Sequence, residues 1–252
     1  MTLRMPPPVL VYAAGLGTRL RPLTNTVPKP LIPFCGVPLI GRTLENLSNS
    51  GFRRVFINLH YLGNQIREYI GDGSSWNLEV SFLEEPVLLD TGGTLAMFYK
   101  ELFADGHLVT INSDTVLDET LDFSELVTAH RQGSQLVTAV VRDADDISSY
   151  GILEFDASWI MQKFLGEQLF ARELGVVSYR RMYTGVQVIS ANIGKLLPEP
   201  GTVCSVTRDL YPLIYKKGGY IRGYEYKGFF SDVGTETRLR ESEAAWQSLG
   251  RI

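Results

Sequence analysis

Residues 9–30 of the chain read VLVYAAGLGTRLRPLTNTVPKP. The apolar start of this stretch, Val9 to Ala13, is typical of a buried strand that runs into a loop rich in glycine, proline and threonine. Pro38 to Ser50 then has apolar residues at helical spacing and stops at Gly51, and Val55 to Leu59 follows as a strand. A strand, a helix and a second strand in this order predict the beginning of a parallel α/β sheet.

The alternation of strand and helix continues through the first half of the chain. Helices are expected over Tyr61 to Ile70 and Thr94 to Phe103, and strands over Leu78 to Leu83 and Leu108 to Asn112. This order predicts a largely parallel sheet with helices on both faces.

The second half of the chain has a different pattern. Residues 136–164 contain short strands with brief breaks, which predicts a small β-rich lobe. Thr184 to Ile189 returns as an apolar strand, and helices are expected over Thr207 to Lys216 and Thr235 to Leu249. The prediction is therefore one α/β domain over residues 1–252, with a mixed sheet and a β-rich lobe.

The composition places the chain among ordinary globular proteins. Of its 252 residues, 44% are hydrophobic and 21% charged, which is enough apolar surface for a sizeable core. The net charge is −4 without a basic stripe, which argues against a nucleic-acid partner. Cys35 and Cys204 lie far apart, so neither a disulfide framework nor a structural zinc site is indicated. The apolar run Val9 to Ala14 is far shorter than the ~20 residues of a bilayer span, and we expect a cytoplasmic protein with no membrane partner.

The loop after the first strand has the residues of a phosphate-binding turn. Glycines such as Gly15 and Gly17 let backbone N–H groups approach phosphate oxygens, and neighbouring cations such as Arg19 neutralise them. A dinucleotide fingerprint would need a third glycine opening a helix, and a P-loop would need Gly-Lys-Ser or Gly-Lys-Thr. Neither pattern is present. The alternative to a phosphate site is a surface turn with incidental arginines.

Ala14 to Thr24 together with Pro28-Lys29-Pro30 resembles the signature of the sugar-1-phosphate nucleotidyltransferases, also called sugar-nucleotide pyrophosphorylases. Further segments similar to that family occur in the expected order along nearly the whole chain. They are Asn58 to Leu62, Leu89 to Leu95, Asn112 to Asp114, Tyr150-Gly151, Tyr183 to Gly185 and Ser231 to Thr235. Among family members, the chain looks most like the mannose-1-phosphate guanylyltransferases and the N-acetylmuramate-1-phosphate uridylyltransferases.

The resemblance implies a fold and a reaction. The fold is a Rossmann-like three-layer αβα sandwich of the nucleotide-diphospho-sugar transferase type, without the C-terminal β-helix domain that some relatives carry. The reaction is transfer of a nucleoside monophosphate from an NTP to a sugar 1-phosphate, with release of pyrophosphate. The protein must screen the repulsion between two phosphate groups and align the attack.

The family pattern also implies the two catalytic cations. Lys29, held between two prolines that restrict its loop, is expected at the α-phosphate. Arg19 is expected to hold the β- and γ-phosphates, because a guanidinium donates two parallel hydrogen bonds. The alternative for Lys29 is a solvated loop lysine.

Two aspartates are expected to bind Mg²⁺ by the same resemblance. Asp114 follows a strand at the carboxyl edge of the sheet, where ligands bind in open α/β folds. Asp232 precedes Val233-Gly234-Thr235. Two neighbouring carboxylates repel each other unless a cation lies between them. The alternatives are a turn residue for Asp114 and an N-cap for Asp232.

The remaining site residues are carried over from the family motifs. The nucleotide is expected to contact three segments: the signature loop with the residue before it, the residues that follow the strand Leu78 to Leu83, and the Gly92-Gly93 loop. The expected contacts are Ala13, Ala14, Gly15, Gly17, Thr18, Glu85, Gly92 and Gly93. The sugar is expected to contact Asn112, Tyr150, Gly151, Thr184 and Gly185.

One motif departs from the family pattern. Many relatives have Glu-Lys-Pro after the strand that matches Trp159 to Leu165, and its lysine grips the sugar phosphate. Here the sequence reads Gly166-Glu167-Gln168. The candidates for the missing contact are Lys163, Arg172, Arg180 and Arg181.

The sequence favours GTP and a hexose 1-phosphate such as mannose 1-phosphate. A uridylyltransferase acting on an N-acetylated sugar 1-phosphate is the first alternative. The second is a non-catalytic regulator that binds a nucleotide or sugar nucleotide, suggested by the missing Glu-Lys-Pro. The third is a dinucleotide-dependent dehydrogenase, which rests only on the βαβ start and the paired glycines. A homo-oligomer is compatible with each hypothesis.

Overall fold

The computed structural model describes residues 6–143, 152–164, 167–168 and 176–251. The strands, in chain order, are β1 (Val9–Tyr12), β2 (Pro33–Phe34), β3 (Val37–Pro38), β4 (Arg54–Leu59), β5 (Glu79–Glu84), β6 (His107–Asn112), β7 (Thr115–Leu117), β8 (Val137–Arg142), β9 (Ile152–Phe155), β10 (Met161–Phe164), β11 (Glu167–Gln168), β12 (Tyr179–Ser190), β13 (Ile221–Glu225) and β14 (Phe230–Asp232). The helices are α1 (Leu39–Asn49), α2 (Gly63–Ile70), α3 (Asp90–Met97), α4 (Tyr99–Leu102), α5 (Phe123–Gln132), α6 (Tyr211–Lys216) and α7 (Glu236–Ser248).

The described residues divide into two compact units. The first contains the described parts of 1–88, 111–122 and 228–252, and the second those of 89–110 and 123–227. In the first unit β1, β4 and β5 form parallel neighbours, with Val9 opposite Val55 and Val55 opposite Val80. The parallel arrangement predicted from the first half of the sequence is confirmed.

Apolar side chains determine the elements of the first unit. All of Val9, Leu10 and Val11 are fully buried, as expected of a parallel strand covered on both faces. Helix α1 buries the face that carries Ile40 and Leu44. An apolar cluster of the first unit packs the residues that follow Pro30 against α7. Its buried members are Ile32, Phe34, Leu39, Val116, Val233 and Trp246.

The second unit has a mixed sheet. Strand β12 is antiparallel to both β8 and β9, and β9, β10 and β11 continue as antiparallel neighbours. Strand β13 is parallel to β8, with Ile221 opposite Val137. The α/β class with a mixed sheet and a β-rich part is confirmed. Among the described residues, no helix has the length and apolar character needed to cross a bilayer.

Two helix predictions require correction. The helix expected to begin at Thr94 begins at Asp90 and is interrupted at Phe98, so that α3 and α4 are separate. The segment expected to be helical from Thr207 begins with a π-helical turn over Val206–Leu210 before α6.

Candidate active site

The signature loop folds back on itself at Gly17. Gly17 has a φ of 62°, the left-handed region that favours glycine. Its carbonyl accepts a hydrogen bond of 2.8 Å from the Thr24 hydroxyl. A Cβ at Gly17 would lie 3.0 Å from Thr24 Cγ2 and 3.1 Å from Lys29 Cβ, so a larger residue would push the two ends of the loop apart. Gly15, in contrast, has no atom within 4 Å of the place where a Cβ would be, which leaves its surface open to a ligand.

Lys29 is partly buried and forms an ion pair. The preceding Pro28 is extended, with φ −66° and ψ 144°, and Pro30 is buried. The ammonium Nζ donates to Asp114 Oδ2, and the two side chains are 12% and 21% exposed. The alternative of a solvated lysine is wrong for this structure. Without a substrate, the lysine expected at the α-phosphate neutralises one of the expected metal ligands.

The two aspartates lie on adjacent chain segments of the first unit. Asp114 is in the turn between β6 and β7, and Asp232 ends β14, where it is opposite Thr115 in an antiparallel pair. The Val233 amide donates to the Asp114 carbonyl at 3.1 Å. The N-cap of α7 is Thr235, whose hydroxyl accepts from the Arg238 amide, so an N-cap role for Asp232 is wrong.

The surroundings of Asp232 favour the protonated form of its carboxyl. Burial raises the pKa of its carboxyl above the ordinary value, and the nearby Asp114 charge adds to that rise. Lys29, Arg19 and Arg238 oppose it, and Arg238 Nη1 lies 3.5 Å from Oδ2. The other oxygen, Oδ1, is buried and has no hydrogen-bond partner among the described residues. A buried carboxylate oxygen without a partner fits a cation ligand, because leaving it unpaired is costly.

Arg19 lies against the backbone beside Asp232. A Cβ at Gly234 would be 2.9 Å from Arg19 Nη1 and 3.1 Å from its Cζ, so the guanidinium rests on the glycine. Arg19 is exposed, and its charge contributes to the electrostatics of Asp232. The structure thus brings Arg19, Lys29, Asp114 and Asp232 together.

A buried hydrogen-bonded chain connects three strand ends at the edge of the sheet. The Ala13 amide donates to Asn58 Oδ1 at 2.7 Å, and Asn58 Nδ2 donates to Glu85 Oε1 at 2.8 Å. Both Asn58 and Glu85 are less than 5% exposed. Ala13 therefore cannot offer its amide to a nucleotide. The family resemblance includes Asn58 but implies no role for it. The sequence signal for its role is a polar amide directly after the apolar strand residues Val55 to Ile57.

The segment of Gly92 and Gly93 is the clearest correction to the site. The resemblance placed both glycines in a loop that contacts the nucleotide, but they lie inside α3 and are buried. Their amides donate to the Cys204 carbonyl at 2.7 and 2.9 Å. A Cβ at Gly93 would lie 2.5 Å from the Thr202 carbonyl oxygen. These glycines allow close packing of backbone on backbone, and their amides are not available to a ligand.

The expected sugar contacts are only partly described. Tyr150 and Gly151 lie outside the described residues. Thr184 is 1% exposed and its hydroxyl donates to the Val140 carbonyl at 2.9 Å, so its side chain is used within the sheet. Gly185, with φ 81°, lies where the register of β12 against β8 shifts. Asn112 is the last residue of β6 and is half-buried.

The described candidates for the acceptor phosphate already have carboxylate partners. Lys163 Nζ and Arg180 Nε each lie 3.0 Å from an oxygen of Glu154. The hydrogen bond from Lys163 is the main cause that lowers the pKa of Glu154 below its ordinary value. Arg181 Nη2 lies 2.6 Å from Glu225. Arg172 is outside the described residues.

The candidate metal ligands of the site are the carboxylates of Asp114 and Asp232. No group of three or more histidine, cysteine, aspartate or glutamate side chains with a suitable arrangement occurs among the residues described. Mg²⁺, however, is commonly held by one or two carboxylates with water and substrate phosphates completing an octahedron. Asp114 and Asp232 meet that requirement in number and in ligand type.

Comparison with known proteins gives consistent matches. The family described as nucleotidyl transferase matches residues 9–166. The chain is 32% identical over 253 residues to N-acetylmuramate alpha-1-phosphate uridylyltransferase of Neisseria meningitidis, covering 94% of this chain and 99% of that protein. It is 29% identical over 231 residues to mannose-1-phosphate guanylyltransferase catalytic subunit beta of Danio rerio, covering 89% of this chain but 60% of that protein.

Solved structures agree on the fold. The crystal structure of HddC from Yersinia pseudotuberculosis has a TM-score of 0.78 at 24% identity and covers 96% of this chain and all of its own. A glucose-1-phosphate thymidylyltransferase structure from Bacillus anthracis has a TM-score of 0.75 at 18% identity. At these identities the likeness concerns the architecture alone.

Proposed function

Because this chain belongs to the nucleotidyl transferase family, we propose that it transfers a nucleoside monophosphate from a nucleoside triphosphate to a sugar 1-phosphate and releases pyrophosphate. The observation that carries the proposal is the group of Arg19, Lys29, Asp114 and Asp232, with a buried and unpartnered oxygen on Asp232. Cations beside paired carboxylates are the arrangement that phosphoryl chemistry requires.

The charges of the site support a division of labour. A phosphate monoester carries roughly −1.5 to −2 at neutral pH, so the acceptor and the triphosphate repel each other. We assign the Lys29 ammonium to the α-phosphate by the family resemblance, and the flanking prolines restrict the backbone that carries it. We assign the exposed Arg19 to the β- and γ-phosphates, where a planar guanidinium can hold two oxygens of the leaving group.

Asp114 and Asp232 are the residues that would hold Mg²⁺. The cation would neutralise phosphate charge when bound. Lys29 is paired with Asp114 and Arg238 with Asp232, so each carboxylate charge is partly balanced. Gly15 leaves the loop open on one side, which suits the approach of a triphosphate.

For the substrates we propose GTP and a hexose 1-phosphate such as mannose 1-phosphate. The relative from Danio rerio is named a guanylyltransferase. The alternative is UTP with an N-acetylated sugar 1-phosphate, since the relative from Neisseria meningitidis covers almost the whole chain. Nucleoside triphosphates are cytoplasmic metabolites, and the cytoplasm is where we expect the reaction.

A regulatory protein without catalysis is the second candidate function. Gly166-Glu167-Gln168 stands where many relatives have Glu-Lys-Pro, and Lys163, Arg180 and Arg181 are each paired with a carboxylate. The grouping of Arg19, Lys29, Asp114 and Asp232 argues against a protein without catalysis. We therefore favour the enzyme and leave the choice to experiment.

The experiment is pyrophosphate release with Mg²⁺, crossing GTP, UTP, CTP, dTTP and ATP with mannose, glucose and N-acetylated hexose 1-phosphates. One strongly preferred pair would support the proposal and identify both substrates. No release from any pair, with NTP binding still measurable by calorimetry, would contradict catalysis on these substrates and favour the regulator.

A further inference from the structure

Three consecutive backbone carbonyls of the signature loop accept hydrogen bonds from two side chains at the start of α2. The Tyr61 hydroxyl lies 3.0 Å from the Thr24 carbonyl and 3.2 Å from the Asn25 carbonyl. Gln65 Nε2 donates to the Thr26 carbonyl at 2.9 Å. Residues 24–26 are not in a strand or an α-helix, so these side chains supply donors that regular structure would otherwise supply.

The carbonyls held in this way belong to the segment that shapes the site. The Thr24 side chain is fully buried, and its hydroxyl donates to the Gly17 carbonyl at 2.8 Å. The chain then reaches Lys29 through Pro28, three residues after Asn25. A Cβ at Gly17 would lie 3.0 Å from Thr24 Cγ2 and 3.1 Å from Lys29 Cβ, so both residues pack closely on this glycine. A shift of residues 24–26 would therefore move both ends of the loop.

The two donors lie on a rigid support. Helix α2 buries Ile66 and Ile70, and a Cβ at Gly63 would lie 3.0 Å from Leu59 Cβ, so the helix packs closely on the end of β4. Leu62 adopts a left-handed φ of 51°, which is costly for a residue with a side chain and persists only where the surroundings enforce it. Tyr61 and Gln65 thus have little freedom to move with the loop.

We propose that Tyr61 and Gln65 are positioning residues that fix the signature loop so that Lys29 and Arg19 face the triphosphate. The inference rests on the proposed function, because it gives the fixed loop a catalytic use. Catalysis by charged groups depends on geometry set in advance, so small displacements of the loop reduce turnover more than substrate binding.

The test compares Tyr61→Phe, Gln65→Met and the double variant with the wild type. Tyr69→Phe is the matched control, because Tyr69 lies in α2 with Gln65 and its hydroxyl makes no hydrogen bond among the described residues. Each single variant is expected to lower kcat by about 3- to 10-fold, the effect of one neutral hydrogen bond. The KM for the sugar 1-phosphate should change by less than about 2-fold. The double variant should lose less than the product of the single effects, because either loss already frees the same segment.

Amide hydrogen exchange of the peptide covering residues 17–29 provides a readout that does not need turnover. Faster exchange in Tyr61→Phe, with kcat reduced and Tyr69→Phe unchanged, supports positioning. Faster exchange with unchanged kcat means a structural role alone and overturns the proposal, as does unchanged exchange with unchanged kcat. A wild-type protein without activity on any substrate pair would instead refute the proposed function, and with it the catalytic use of these residues.

Discussion

Acidification should destabilise the second unit through His130. This imidazole is 2% exposed, and burial lowers its pKa from 6.5 to about 3, with the charges of His107 and Arg131 adding to the effect. Its Nδ1 lies 2.9 Å from the Thr138 hydroxyl, which also accepts from Gln135 Nε2 at 2.9 Å. This arrangement is satisfied when the Thr138 hydroxyl donates to a neutral imidazole. Protonation of Nδ1 would oppose that bond inside a buried region.

The direction and size of this loss of stability follow from the difference between the pKa of His130 in the folded state and in the unfolded state. The unfolded state takes up a proton below pH 6.5, whereas the folded state takes it up only near pH 3, so stability falls as the pH drops through this window. At about pH 4.5 the group lies two units below its unfolded pKa, and at ~1.4 kcal/mol per unit the loss is about 2.7 kcal/mol. That is a large fraction of the 5–15 kcal/mol by which domains are typically stable.

Urea denaturation at about pH 7 and about pH 4.5 measures this loss. Other groups also titrate in acid, so the informative quantity is the difference between the wild type and His130→Gln. The variant should lose about 2 to 3 kcal/mol less than the wild type over the same interval. A difference below ~0.5 kcal/mol for His130→Gln would refute the reasoning.

The remaining predictions concern the site and one packing contact. Lys29→Ala should lower turnover by about 10²- to 10³-fold, the cost of one preorganised charged group, whereas exposed Lys100→Ala should have no effect; steady-state pyrophosphate release decides. Asp232→Asn should weaken the dependence of activity on Mg²⁺ while circular dichroism stays unchanged, and an unaltered Mg²⁺ titration would remove Asp232 from the metal site. Gly93→Ala should destabilise the protein by about 1–3 kcal/mol, because the new Cβ meets the Thr202 carbonyl, whereas Gly15→Ala should leave thermal stability unchanged; melting curves of both variants test this contrast.

The elements of the first unit were predictable because their signals are local. Continuous apolar residues identified β1 and β4, and helical spacing followed by a glycine identified α1 within one residue at each end. The turn of the signature loop was also indicated locally, because glycine permits a left-handed backbone and proline restricts φ.

The errors share one physical cause, which is contact between residues distant in sequence. The family motif placed Gly92 and Gly93 in a loop, whereas they lie in α3 and their amides donate to the distant Cys204 carbonyl. The resemblance assigned Thr184 to the sugar, and nothing local shows that its hydroxyl donates to the Val140 carbonyl. The pairing of Lys29 with Asp114 joins residues 85 positions apart, and the family motifs name both without relating them.

The two carboxylates of the site depend on a short piece of structure. Strands β7 and β14 share only three opposed residue pairs, from Phe230 with Leu117 to Asp232 with Thr115. Helix α7, which follows β14, has one buried residue, Trp246, whose ring packs edge-on against Phe34 and Phe229. Segments with few buried apolar contacts are the parts of a protein that open locally at the lowest free energy. Heating should therefore abolish the site before the parallel sheet unfolds, and enzymatic activity would report the detachment of α7 rather than the melting of the whole chain.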